Sequence, residues 1–263
     1  MKLKTSHLKH LYQLMRGPQY LRRFHGQSEF LDLIFKTFEG CINCLNGRQK
    51  SSIGVWWLRF QRWINILDKN EIAKLPPERK KPKIIFKEFL KIPENRDNSL
   101  YYCEYSLLEY EQGSIATSIK TLQTVISSKP PVLSLSDIHE QSDLCFLYRT
   151  LCEILIADGQ RDNAVNVLVN LANGMQIDNK PTVNCSLNAV KKFEHLTIEL
   201  IYGLGDQECD LEDLMLPIFA VEWISCYMWL MAYIKPMSEL KSLMDRVWDL
   251  LDKNECILAH RIR

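Results

Sequence analysis

Glycine and proline are scarce, ten of each in 263 residues, too few for long irregular loops to dominate the chain. With Leu, Ile, Lys and Glu abundant, that scarcity points toward helix. A chain 46% hydrophobic and 25% charged is not disordered, collagen-like or a disulfide-built miniprotein. Its length allows one large domain or two small ones around a substantial core. Nucleotide-loop and nucleophile motifs are missing too. GxxxxGKS, GxxxxGKT, GxSxG, HExxH and GxGxxG are all absent, and Gly203-Leu204-Gly205 has no third glycine after it. The six His are dispersed. The acids Asp206, Glu208, Asp210, Glu212 and Asp213 read as a solvated acidic loop. The expectation is a protein that is not an enzyme and uses no cofactor.

Two further absences concern compartment. Lys2, Lys4, His7, Lys9 and His10 interrupt the stretch from Met1 to Met15, so no secretory leader is expected. The most membrane-like run, Leu214 to Ile234, contains Pro217 and Glu222. A helix buried by neighbouring helices accounts for it, and no membrane partner is expected. Nine Cys are scattered, with one close pair at Cys41-Ile-Asn-Cys44. A lone CxxC falls short of a zinc ligand set. Packed, reduced thiols and no metal are the expectation.

Charge is unevenly spread. Residues 1–90 hold 18 Lys and Arg against 7 Asp and Glu, although the whole chain nets only +1. The rest of the chain is correspondingly acidic. No acid precedes Glu29. A basic end can attract nucleic acid or acidic proteins, and the two ends can equally pair with other parts of a longer molecule.

What is present is helical periodicity. Ile53, Trp57, Phe60, Ile64 and Leu67 step by four and three along one helix face. Leu31, Ile34, Phe35, Phe38, Ile42 and Leu45 do the same before them. Val183, Leu187, Val190, Thr197, Leu200 and Leu204 mark a later amphipathic face. Six tryptophans (Trp56, Trp57, Trp63, Trp223, Trp229 and Trp248) are expected to pack in the core. Asp210 and Asp213 resemble a helix cap and its following acid. Strand-type alternation is absent, so the chain is expected to be all-α.

Between Lys83 and Ser128 the pattern sharpens. A short helix ends at Pro93; then Tyr102, Tyr105, Leu108 and Glu109 share a face, Gly113 breaks the helix, and Ile115 to Ile126 starts another. A second version follows with Tyr148, Leu151 and Glu153, then Gly159, then Ala164, Val167 and Leu168. Each reads as an antiparallel helix pair closed by a glycine whose backbone can turn left-handed. A pair alone leaves an apolar face uncovered, so pairs must stack. These pairs, at about 99–128 and 136–173, resemble the half-a-TPR (HAT) repeat of RNA-processing scaffolds in degenerate form. Ser118 and Ile119 stand where the repeat often has Ala and Arg, and Cys152 where it has an acid.

Pro93-Glu94-Asn95-Arg96-Asp97-Asn98, the Tyr102-to-Gly113 helix, and the upstream Trp57-Leu58-Arg59-Phe60 resemble the nuclear RNAi-defective ("necessary for RNA interference") protein family. The resemblance runs over most of residues 15–250. It implies a degenerate HAT/TPR-like α-solenoid and a non-catalytic nuclear scaffold of RNA silencing or surveillance with protein partners. Trp57, Phe60, Tyr102, Tyr105, Glu109, Gly113, Tyr148 and Gly159 are its structural repeat positions. Members are much longer, so a fragment or a divergent short member is expected. The organisation is then a basic helical region over 1–75, a basic Pro-containing linker over 76–83, and a HAT-like repeat region over 84–263.

Arg79-Lys80-Lys81-Pro82-Lys83 fits a nuclear localisation segment if its backbone is extended and exposed. RNA contact is conceivable through the basic amino-terminal third, where Tyr12, Tyr20 and Phe24 interleave with Arg16, Arg22 and Arg23; a solvated basic face is the plainer reading. A direct RNA-binding helical module and a cytoplasmic helical-repeat adaptor are the alternatives to the scaffold.

Overall fold

In the computed structural model, residues 27–69, 80–177, 179–204 and 216–253 are described. Among them lie ten α-helices, two single-turn 3-10 helices at Pro93–Asn95 and Val132–Ser134, and no strand. Two compact units divide the chain, Met1–Phe89 and Leu90–Arg263.

In the first unit, α1 (Gln27–Cys44) packs against α2 (Gly47–Lys69). Phe35 and Phe38 of α1 close on Phe60 of α2 with ring centroids 5.4 and 5.8 Å apart. Trp57 is buried and tilts against Phe89 of α3 (Pro82–Lys91) at 5.0 Å. Leu58 and Val55 deepen this core beyond the stripe that periodicity marks. Trp63 departs from expectation, being 43% exposed rather than packed in the core. Six residues beyond Trp57, it sits about 240° around the helix, away from the buried stripe.

The second unit begins with α4 (Ser99–Glu111) and α5 (Ile115–Ser127). Asn98 starts α4, its side chain accepting from the backbone N–H of Leu100 and Tyr101 at 3.1 and 3.3 Å. At Gly113 φ is +84°, and this turn folds α5 back along α4. The longer α6 (Ile138–Ala157) packs against α7 (Arg161–Asn173), and between them Gly159 turns at φ +83°. Asp137 caps α6. The α7 end is tethered to the next helix by amides: Asn170 donates to the Ile177 and Asn179 carbonyls, and Asn173 to that of Cys185.

The last three helices are α8 (Val183–Leu204), α9 (Phe219–Ile234) and α10 (Met237–Lys253). The nearly uncharged α9 packs against α6, α7, α8 and α10, which is why its sequence is apolar on most sides. Among the described residues no helix is long and apolar enough to cross a membrane. The α8 face differs from the expected one. Ala189, Phe193, Thr197 and Ile201 are its buried stripe, while Leu187 is 58% exposed. Phe193 decides this register, lying 4.5 Å from Trp223 and stacking on Tyr227 at 5.6 Å, all three buried.

Candidate functional site

Of the residues expected to be structural, Trp57 and Phe60 pack in the first unit, and Tyr105, Glu109 and Tyr148 lie at or beside two polar side-chain nodes of the second. In the first node, Leu108 and Glu109 of α4 are fully buried, and the Tyr105 hydroxyl donates to the Glu109 carboxylate one turn on. Burial, and then that hydrogen bond, push the Tyr105 hydroxyl well above its ordinary pKa. Tyr102 is only half-buried, and its neighbour Tyr101 is the aromatic that leaves water. Where α4 meets α5, buried Ser106 lies 2.8 Å from the Ser118 hydroxyl and donates to the Ser118 carbonyl at 3.0 Å. A serine at 118 thus meets a matched hydroxyl across a close contact that a bulkier side chain would hold apart.

The second node joins α6 to α9. Arg149 donates from Nε to Glu222 and from Nη1 to Glu153 at 3.0 Å, and Trp229 donates its indole N–H to the same Glu153 at 3.3 Å. Burial opposes the Arg149 charge, but the Glu222 and Glu153 carboxylates outweigh it and hold the pKa above its ordinary value. The Glu222 side chain keeps only 7% of its exposure. Packed around this charge set are the buried thiols Cys145, Cys152 and Cys226. Burial pushes Cys152 and Cys226 far up, so both are neutral thiols. Tyr148 is buried beside them, its hydroxyl pushed up to about 12 by desolvation.

Periodicity did not single out Arg149 as the partner of Glu222. Its signal was there in composition: Glu222 is the one acid in an apolar run, and Arg149 the one Lys or Arg in α6. A buried charge requires a counter-charge.

Other sequence candidates are dispersed. Cys41 and Cys44 are exposed free thiols on the last turn of α1. No group of three or more His, Cys, Asp and Glu among the described residues could hold a metal. Glu194 pairs with Arg246 of α10 at 2.7 Å, and His195 stands 3.5 Å from Glu199 on an exposed face. A depression of about 170 Å³, lined by Asp97, Asn98, Lys129 and Glu140 among others, is smaller than ordinary ligand pockets of roughly 300–1,000 Å³.

Of the basic segment, Lys80 and Lys81 are exposed and precede α3, with Lys80 Nζ 2.8 Å from Glu88. Lys83 differs from the expected extended linker: α3 already starts at Pro82, so Lys83 lies in a helical first turn. Proline favours that first position because its missing N–H has no helical partner there. Arg79, Asp210, Asp213 and the aromatic and basic residues before Gln27 lie outside the described residues.

No family model matches the chain, and no solved structure matches it. Among curated proteins it is similar to the nuclear exosome regulator NRDE2 of Mus musculus, 28% identical over 159 residues. That stretch covers 59% of this chain and 13% of the mouse protein, so the chain corresponds to a small part of its relative's length.

Proposed function

We propose that this chain is a non-catalytic nuclear scaffold of RNA silencing or surveillance, working through protein–protein contacts. The observation that carries the reading is the similarity to a nuclear exosome regulator. The helical architecture supports it. Two glycine-turned helix pairs, α4 with α5 and α6 with α7, read as degenerate HAT/TPR-like antiparallel pairs, and such arrays offer extended surfaces rather than deep pockets. In this reading Trp57, Tyr105, Glu109, Tyr148 and the two turn glycines hold the array, and the partners bind elsewhere on it.

Affinity purification of the tagged full chain under reducing conditions tests the scaffold. Recovery of nuclear RNA-surveillance proteins is expected, and their absence overturns the reading. A nuclear address is part of it, carried by Arg79, Lys80, Lys81 and Lys83. A reporter fused to the chain should be nuclear and should redistribute when Lys80, Lys81 and Lys83 become Ala. The fold should tolerate the change at exposed Lys80 and Lys81 within about 0.5 kcal/mol each, and a melt of the triple variant checks half-buried Lys83.

A further inference from the structure

We infer that Cys41 and Cys44, at the end of α1, form a two-thiolate site for a soft monovalent cation, Cu(I). This goes beyond the protein-contact scaffold and stands on separate observations. Among the described residues Cys103, Cys145, Cys152 and Cys226 are buried free thiols, whereas Cys41 and Cys44 are both exposed. The exposed two are three residues apart on the last turn of α1, so their side chains emerge on one helix face. Ile42 between them is buried, and the Leu45 N–H donates to the Cys41 carbonyl at 3.1 Å. The turn that carries the thiols is thus held by its apolar side and by its backbone.

Three chemistries use such a pair, and ligand number and distance separate them. A structural zinc site takes four ligands, and no group of three or more His, Cys, Asp and Glu among the described residues could hold a metal. A disulfide needs its β-carbons about 3.5–4.5 Å apart. Helix neighbours at this spacing hold theirs at about 5–6 Å. Closing that bond would distort the turn that Ile42 and the Leu45 hydrogen bond keep. A bridging ion asks for less. With metal–sulfur bonds of about 2.3 Å, two sulfurs on opposite sides of one ion stand about 4.6 Å apart. Side-chain rotation alone brings the two thiols to that span while the helix stays intact. Soft thiolate ligands select Cu(I), and two of them satisfy it. Each thiol releases its proton on binding, so one Cu(I) replaces two protons and the occupied site carries one negative charge.

The second unit supplies a control. Cys185 is a half-buried thiol near the start of α8, 3.3 Å from the Thr182 hydroxyl. It offers one sulfur and a hard oxygen, and a hydroxyl is no match for a soft ion. Cysteine is present in both places; only the end of α1 sets two open sulfurs on one turn.

The test is anaerobic titration of the reduced full chain with Cu(I) in competition with the chromogenic chelator bicinchoninate. The chain should withdraw one Cu(I) from the chelator, and copper X-ray absorption should show two sulfur neighbours. Cys41→Ser and Cys44→Ser should each weaken retention about 100-fold or more, the loss when a chelate gives up one arm. Cys185→Ser should leave it unchanged. Bound Cu(I) should also shield Cys41 and Cys44 of the native chain from iodoacetamide, read by mass spectrometry, which needs no variant to fold. The inference is overturned if the native chain takes no Cu(I) from the chelator, or if either single variant retains it as the native chain does. Undiminished alkylation of the pair overturns it as well. Should Zn(II) instead be held by two chains sharing four thiolates, the site is an inter-chain zinc clasp and the inference fails. It fails too if a hydroperoxide closes a Cys41–Cys44 disulfide, the pair losing two hydrogens, in a chain that does not retain Cu(I).

Discussion

In the second unit, a mostly buried Arg149 is held by buried Glu222 and by part-exposed Glu153, and half-buried Tyr105 donates to buried Glu109, so that polar groups bind helix to helix or turn to turn. In the first unit, phenylalanines join α1 to α2, and Arg59 stands over a ring beside a half-open indole. The difference teaches where the packing is fixed most strictly. A desolvated charge pair fixes which helix meets which, because any other register strands a charge in low dielectric. The ring contacts of the first unit strand no charge if they shift, so they fix the packing less strictly.

The contrast breaks most easily at Arg149. Arg149→Ala leaves Glu222 buried without its cation, and unfolding in urea should show the second unit losing about 3–5 kcal/mol. Replacing both partners, Arg149→Met with Glu222→Leu, should restore most of that, since an apolar pair of similar volume is often neutral or better. A single variant that costs nothing would mean that the pair does not hold α6 to α9.

Alkaline titration separates the units next. Tyr148 and Tyr227 are pushed up to about 12, each chiefly by burial, and Tyr105 rises by burial and by its bond to Glu109. Their unfolded value is near 10. Between about pH 10 and 12 the unfolded chain releases protons that the folded one keeps. The stability these hydroxyls contribute is therefore fully present below pH 10 and lost as pH rises. Among the described residues the first unit has no tyrosine. Helicity followed by circular dichroism should fail in the second unit as tyrosinate absorbance appears, and simultaneous loss of both units would remove the distinction.

Glycine sharpens it on a smaller scale. A Cβ at Gly113 or Gly159 meets open space, so the cost of alanine there is the left-handed backbone alone, about 1–2 kcal/mol. Gly40 also faces open space but sits inside α1 without a positive φ. Gly40→Ala should therefore stabilise the first unit, by about 0.5–1 kcal/mol. Thermal melts of the three variants give the signs directly.

How legible all this was varied with distance along the chain. The helices were legible because Ile53, Trp57, Phe60 and Ile64 repeat at a helical period that strands cannot use. The turns at Gly113 and Gly159 were legible because each interrupts an apolar pattern at the point where the chain folds back. The buried side of α8 was not. Its Leu187 and Val190 follow the period, but Phe193 outweighs them by stacking on α9 residues at least 30 positions away. The Arg149–Glu222 pair spans 73 residues and leaves no periodic trace, only two charges that each need a partner. The exposure of Trp63 escaped because composition counts tryptophans without saying which remain in water.

The central claim is that the chain acts through protein contacts in the nucleus. Its most direct test is affinity purification of the full chain from whole-cell extract, with half the sample treated with ribonuclease before elution. The account predicts that the same RNA-surveillance proteins remain on both halves. Partners that depart with the RNA, or a set drawn only from the cytoplasm, would contradict it.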